Sequence, residues 1–416
     1  MRFGFAWSAC ALAFVAATSS CFTFVSFDLD DGAGGGTVTS VGPGGGGGGG
    51  GGAGGGGGGA GPCADIESDP NNCGQCGWSC GPGSQCAQGV CTAVGVEEPG
   101  VFALALVGAT RDRSVVAAVK PDMGLAFVEL HVWPSALPSS AQQVIGNVPD
   151  GKSGALTTSD DFIYYRPRDL AACEAGACIE AVSVEPAGSV AQIRVSVDGS
   201  SIDAVEGLAV VSGTAYFTTS GANLVRAVSE ACLRSVNGTD CSADASAQIV
   251  VSQMNDVGGM PITAKAAHLE ATGGELWWTT YLGCVHHVPL GERSVQAACA
   301  FGLSDLEDTL PTVLTASEAG VFVATNATRV FQLTTLRSDA PKPIEDLDAP
   351  LDSDDRYLYA WAPATQEVVV VDPTTQTAIA RQSVDAAVVA IEASDPNWVY
   401  FATSSTLYRW RKPAGL

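Results

Sequence analysis

The chain has 416 residues, 44 aspartates and glutamates against 20 lysines and arginines, and a formal net charge of −24. No basic stripe relieves that excess, which argues against nucleic acid as a partner, since phosphate binding needs clustered positive charge. Fourteen cysteines argue against a reducing compartment, and an acidic, solvated surface suits an exported protein.

At the N-terminus Arg2 precedes an apolar run from Phe3 to Ala17, too short to span a bilayer comfortably, and the small residues Thr18, Ser19 and Ser20 lead to Cys21. Residues 1–20 therefore read as a signal peptide. Ser19-Ser20-Cys21 resembles the end of a bacterial lipobox, with Thr18 in place of its usual leucine, which implies lipidation of Cys21. Ordinary cleavage after Ala17 or Ser19 is the competing reading. Parity supports the lipid: with Cys10 lost and Cys21 acylated, the other twelve of the fourteen cysteines form an even set. Phe22 after that cysteine resembles the outer-membrane sorting pattern. The expectation is an outer-membrane or cell-surface lipoprotein, secreted if not lipidated, that meets the membrane through its anchor alone.

Residues 21–62 read as a disordered tether. Seventeen of the twenty residues from Gly42 to Gly61 are glycine, and as a flexible coil the segment from Cys21 to Cys63 reaches about 35 Å. A phosphate-cradling loop would need a preceding strand, a following helix and a Lys-Ser/Thr pair, and this tract has none of them.

Six cysteines follow in residues 63–91: Cys63, Cys73, Cys76, Cys80, Cys86 and Cys91. Such density replaces the hydrophobic core that so short a piece lacks and predicts three disulfides, with fifteen connectivities open. Zinc at Cys73 and Cys76 would lack histidine ligands and a second separated pair. Asp69-Pro70-Asn71-Asn72-Cys73-Gly74-Gln75-Cys76-Gly77, continued by Cys80, Gly83, Cys86, Gly89 and Cys91, resembles the cysteine-rich motif of the plant stigma-specific protein family. Similar segments occur in secreted lipoproteins of myxobacteria. The resemblance covers about residues 63–91 and implies an extracellular, interaction-type role for that segment. Trp78 has two readings, a contact residue or a ring packed on the disulfides.

Residues 100–416 are β-patterned throughout, with turn signals every 8 to 12 residues. A unit recurs in which a polar turn opens into an aromatic strand: Phe162-Ile163-Tyr164-Tyr165, Tyr216-Phe217-Thr218-Thr219, Leu276-Trp277-Trp278-Thr279-Thr280, Val321-Phe322-Val323-Ala324-Thr325, Tyr357-Leu358-Tyr359-Ala360-Trp361 and Trp398-Val399-Tyr400-Phe401-Ala402. Hydrophobic strands flank most of them, and Val101 to Trp133 supplies a further unit. A period near 45 residues with three or four strands per unit predicts an all-β fold, a β-propeller of about seven blades (six to eight). The likeness to bacterial propellers lies in architecture. An irregular pair of β-sandwiches is the alternative. Cys173 with Cys178, Cys232 with Cys241, and Cys284 with Cys299 are expected to pair as neighbours and pin insertions in the second to fourth blades.

Candidates for chemistry are few. His286 and His287 point to opposite faces of one strand and cannot easily share an ion, and His131 and His268 stand alone. Asp346, Asp348, Asp352 and Asp354, with Asp355, form an acidic stretch; as a calcium site it lacks the glycine and terminal glutamate of the known loop. No G-x-S-x-G or H-E-x-x-H motif appears. No catalytic residue is assigned, and calcium is the one cofactor entertained. The expected function is binding or scaffolding through a propeller face, with a protein, peptide or glycan as ligand. The alternatives are a calcium-supported propeller hydrolase or lyase, and an envelope-assembly scaffold.

Overall fold

The computed structural model describes residues 65–97, 103–109, 115–120, 127–133, 143–149, 156–159, 162–167, 177–183, 192–198, 205–219, 222–235, 240–241, 249–256, 258–262, 266–272, 274–280, 283–297, 299–302, 311–325, 329–333 and 342–413. The predicted signal, Cys21, the glycine tract, Cys63 and Cys173 lie outside the described residues.

Seven antiparallel sheets follow one another along the chain. Blade 1 comprises Ala103–Ala109, Val115–Lys120, Phe127–Trp133 and Gln143–Pro149, and blade 2 Leu156–Ser159, Phe162–Tyr165, Ala177–Ser183 and Gln192–Asp198. Blade 3 holds Val205–Val211, Thr214–Thr219, Ala222–Ser229 and Ile249–Met254; blade 4 holds Ala266–Thr272, Glu275–Thr280, Cys284–Pro289 and Cys299–Gly302. Blade 5 is Pro311–Ser317, Gly320–Thr325, Arg329–Leu333 and Lys342–Ile344, and blade 6 is Asp348–Ser353, Leu358–Ala362, Glu367–Asp372 and Thr377–Ser383. The first strand of each blade touches the first strands of both neighbours, and that of blade 7 (Val388–Glu392) touches that of blade 1, so the ring closes. The fold is an all-β propeller preceded by a disulfide-rich module. The aromatic strands of the repeat are the second strands of blades 2 to 7.

Blade 7 is composite. Val388–Glu392, Trp398–Thr403 and Thr406–Arg411 come from the C-terminus, and the fourth strand is Val94–Glu97, from just after the cysteine module. Val94 pairs with Arg409 and Glu97 with Thr406, antiparallel. The propeller thus takes in residues ahead of the expected start at 100, because a strand on the far side of the chain supplies the last ladder.

A blade buries both faces against its neighbours, so its strands lose the polar-apolar alternation of a half-exposed sheet. Every residue of Leu358–Ala362 is buried, as are Val368 to Val371. The core is accordingly a series of clusters between blades. Leu351, Leu358 and Val369 of blade 6 meet Phe322 and Val330 of blade 5, and Tyr359 and Val370 meet Ile391 and Trp410 of blade 7.

The turns explain the polar half of the repeat. Ser212 and Gly213 both have positive φ (48° and 76°) and join the paired residues Val211 and Thr214, the backbone of a two-residue hairpin of the primed kind. Asp354 Oδ1 accepts from the amides of Arg356 and Tyr357, and Asp395 Oδ1 from those of Asn397 and Trp398, closing the same turn in blades 6 and 7. The threonine ending the aromatic strand caps the next turn: Thr403 Oγ1 accepts from the Thr406 amide, and Thr280 Oγ1 from that of Cys284.

Two insertions carry the predicted disulfides. Cys232–Cys241 closes a loop that begins within the short helix Glu230–Leu233, capped by Ser229, and Cys284–Cys299 links the last two strands of blade 4. Cys178 is disulfide-bonded as well. The loop enclosed by Cys284–Cys299 also sends Val295–Ala297 onto the outer edge of blade 3 as a fifth, parallel strand. Sequence reading did not anticipate this stitch between blades.

Candidate functional site

Three features concentrate chemistry at the end of the chain: a polar cluster between blades 6 and 7, the junction of the cysteine module with blade 7, and a cleft between blades 5 and 6.

The polar cluster begins at Asp352, fully buried on the inner strand of blade 6. Its Oδ1 accepts from Thr315 Oγ1 of blade 5 (3.0 Å) and the Ser353 amide (2.8 Å), and its Oδ2 from the Ala393 amide of blade 7 (2.7 Å). One carboxyl thus holds three consecutive blades. Burial raises its pKa to about 6 against those donors. Glu392, also fully buried, binds the Ser394 amide (2.8 Å); burial and then the neighbouring Asp352 charge push it up to about 8. Lys412 reaches across from blade 7 to Asp354 Oδ2 (2.5 Å) and the Ala393 carbonyl (2.8 Å), while Tyr359 donates to Asp354 at 2.7 Å. Burial pushes the Asp354 carboxyl up, but the Lys412 charge and these hydrogen bonds outweigh it and hold it below the ordinary value. The cluster is a set of internal braces, closed to solvent at Asp352 and Glu392.

The four candidate carboxylates therefore have different surroundings. Asp346 is exposed with φ of 62°, Asp348 binds the Ala349 amide, Asp352 bridges blades and Asp354 pairs with Lys412. Among the described residues, the one trio of potential ligands whose donor atoms lie within 4.8 Å is Cys73, Cys80 and Cys91, and those sulfurs are in disulfides.

His286 and His287 do lie on opposite faces, stacked on Trp278 (5.3 Å between ring centroids) and Trp277 (4.4 Å), with His287 Nδ1 2.5 Å from Glu275. His268 sits at a strand irregularity with φ of 48°, and burial lowers its pKa to about 4.

In the cysteine module, Cys73 pairs with Cys86 and Cys80 with Cys91, and Cys76 is also disulfide-bonded. Trp78 docks on the propeller, a place that neither reading anticipated. Its indole N–H donates to the Lys412 carbonyl (3.2 Å), and the Arg411 guanidinium lies 4.4 Å over its ring. The same guanidinium covers Trp398 (4.9 Å), whose ring also carries Arg409 (4.3 Å), giving an alternating stack of two indoles and two guanidiniums. Trp410 donates to the Cys91 carbonyl at 2.9 Å, and Val90 and Ala93 pack on the blade 6–7 cluster. Sequence reading missed this docking because the signals lie more than 300 residues apart.

The cleft, of about 270 Å³, lies between the segment Ile344–Leu347, where blade 5 ends, and the strands of blade 6. Buried aliphatics form its floor: Ile344, Leu347, Ala362, Val369 and Val371. Exposed Glu345 and Asp346 stand at its edge. Gln376 donates to Gln332 at 3.1 Å and ties the two blades together beside it.

No known protein family matches the sequence, and no curated protein matches it. Several solved structures are similar to the chain. The β-propeller domain of Cps50 (Swd1) from Myceliophteria thermophila shares 9% identity over 77% of this chain and 99% of its own, with a TM-score of 0.48. The WD40 β-propeller domain of Doa1 shares 8% over 76% and 94%, with a TM-score of 0.47. The computationally designed Ika8 protein shares 12% over 76% and 99%, with a TM-score of 0.45.

Proposed function

We propose that this chain is an exported, envelope-anchored binding protein whose propeller offers a rigid surface to a protein, peptide or glycan. The observation that carries the reading is the cleft between blades 5 and 6, an apolar-floored recess braced by Gln376 and Gln332. A recess held by strands is preorganised, which lowers the ordering cost of binding. The ionisable groups between blades 6 and 7, by contrast, are engaged in bracing: Asp352, Asp354 and Lys412 each bond across the blade boundary or to a partner that does. Disulfides in the N-terminal module and in two propeller insertions support an oxidising compartment.

The reading places the lipid on Cys21, with the glycine tract as a tether and the cysteine module fixed to the propeller. Crosslinking on whole cells followed by mass spectrometry tests it, together with the intact mass of the mature chain. The expected result is an acyl adduct on Cys21 and crosslinks from the propeller to an envelope component. A mature N-terminus elsewhere overturns the anchor. Turnover of glycans or esters that is lost with chelator overturns the binding role.

A further inference from the structure

The cleft between blades 5 and 6 has a chemical preference that follows from its lining. At about 270 Å³ it falls just below the usual range for small-molecule pockets, roughly 300 to 1,000 Å³, and suits inserted side chains better than a whole cofactor. Its floor of Ile344, Leu347, Ala362, Val369 and Val371 offers no charge to an entering group. The rim is different. Glu345 and Asp346 are exposed, and neither has an ion pair or side-chain hydrogen bond among the described residues. Among the described lining residues the one cation, Arg381, is already held by Glu367 at 2.8 Å, so that pair is locally neutral. The recess therefore combines an aliphatic floor with two uncompensated carboxylates at one edge.

We propose that this cleft binds an extended peptide segment of a partner protein, one that presents an aliphatic side chain flanked by lysine or arginine. The aliphatic group enters between Leu347 and Val369, and the flanking cation meets Glu345 and Asp346. This deepens the binding reading above and rests on it. Charge complementarity selects the occupant, because an acidic segment would face two like charges at the point of entry. A neutral sugar would leave the aliphatic floor without a matching surface.

The test uses the full propeller with its cysteine module and two fluorescein-labelled hexapeptides, Gly-Leu-Lys-Val-Lys-Gly and Gly-Leu-Glu-Val-Glu-Gly, followed by anisotropy. The lysine peptide is expected to bind saturably and to weaken as salt is raised, and the glutamate peptide to bind at least about tenfold more weakly. The double variant Glu345→Gln, Asp346→Asn is expected to weaken the lysine peptide about tenfold, two rim charges being worth about that together. Ala364→Trp, on an exposed lining residue, is expected to fill the mouth and abolish binding while the thermal melt stays unchanged. Equal binding of both peptides, or binding that neither variant alters, overturns the assignment of this cleft. So does the absence of binding up to about 1 mM, a limit near −4 kcal/mol. In these outcomes the wider binding role still stands or falls on the whole-cell crosslinks.

Discussion

Replacing Cys80 and Cys91 together by alanine tests whether the cysteine module is part of the propeller's closure. Both sulfurs are buried, and the bridge spans 11 residues and ends just before the closing strand Val94–Glu97. The chain-entropy estimate for such a loop is about 3 kcal/mol. Alanine leaves no new buried hydroxyl, so the loss reflects the missing link and little else. The Cys91 carbonyl also receives the Trp410 indole, and Trp78 holds the Lys412 carbonyl, so loosening the module loosens two anchors on blade 7. If module and ring unfold together, thermal melting followed by circular dichroism shifts down by roughly 6 to 12 °C in one transition, from about 2 to 4 °C per kcal/mol. Limited proteolysis near Val94–Glu97 accelerates in parallel. Two separate transitions, with the main one where the parent protein has it, refute the reasoning and make the module an independent appendage.

Lys412→Met removes the cation from a largely buried pair and leaves Asp354 among Tyr359 and the turn amides; a loss of about 3 kcal/mol in urea unfolding is expected. Asp352→Ala strands the Thr315 hydroxyl and the Ala393 and Ser353 amides, and the melt is expected to fall by the equivalent of about 3 kcal/mol, with Asp352→Asn milder. Glu392 has a folded pKa raised to about 8 from an ordinary 4.5, so the folded state holds its proton more tightly and stability falls as pH rises between those values. Glu392→Gln should flatten that decline in urea midpoints from pH 5 to 8.5; an unchanged slope removes Glu392 as its cause. Trp78→Ala should lower the melt by about 2 kcal/mol, combining a hydrogen bond and a stacked guanidinium, and a neutral result denies the docking any energetic role.

Much of the propeller was legible because its repeat is local. Blades 2 to 7 announce themselves by an aromatic second strand, Tyr216-Phe217 or Trp277-Trp278, opened by a turn residue and, in blades 3, 4, 5 and 7, ended by a threonine, and all these signals fall within about ten residues. The disulfides Cys232–Cys241 and Cys284–Cys299 were legible for the same reason, being neighbours in sequence. What escaped depends on distant partners. Val94-Gly95-Val96-Glu97 is too short to stand out, and its role as an outer strand comes from Thr406–Arg411. Trp78 could be assigned its place only once Arg411 and Trp398 were brought beside it. Asp352 and Asp354 looked like neighbours in one acidic loop, yet the former lies buried against Ala393 and the latter takes a lysine from the next blade. The cleft is assembled from the turn Glu345-Asp346 and from strands of blade 6 that individually read as ordinary core.

The composite seventh blade also sets the order in which this protein can assemble. The indole of Trp410 and the carbonyl of Cys91 are 319 positions apart, so an early strand waits for the last one to be made, on the order of 15 to 60 s at ordinary synthesis rates. During that interval the blades made so far stand as an open arc with unpaired edges, the circumstance in which non-local β-structure folds slowly and attracts wrong partners. The cysteine module can oxidise by itself long before, which would hold Val94–Glu97 in a defined place to receive the final hairpin. Completion of the ring then requires the strand Thr406–Arg411, and a molecule truncated before Thr406 has no means of reaching it.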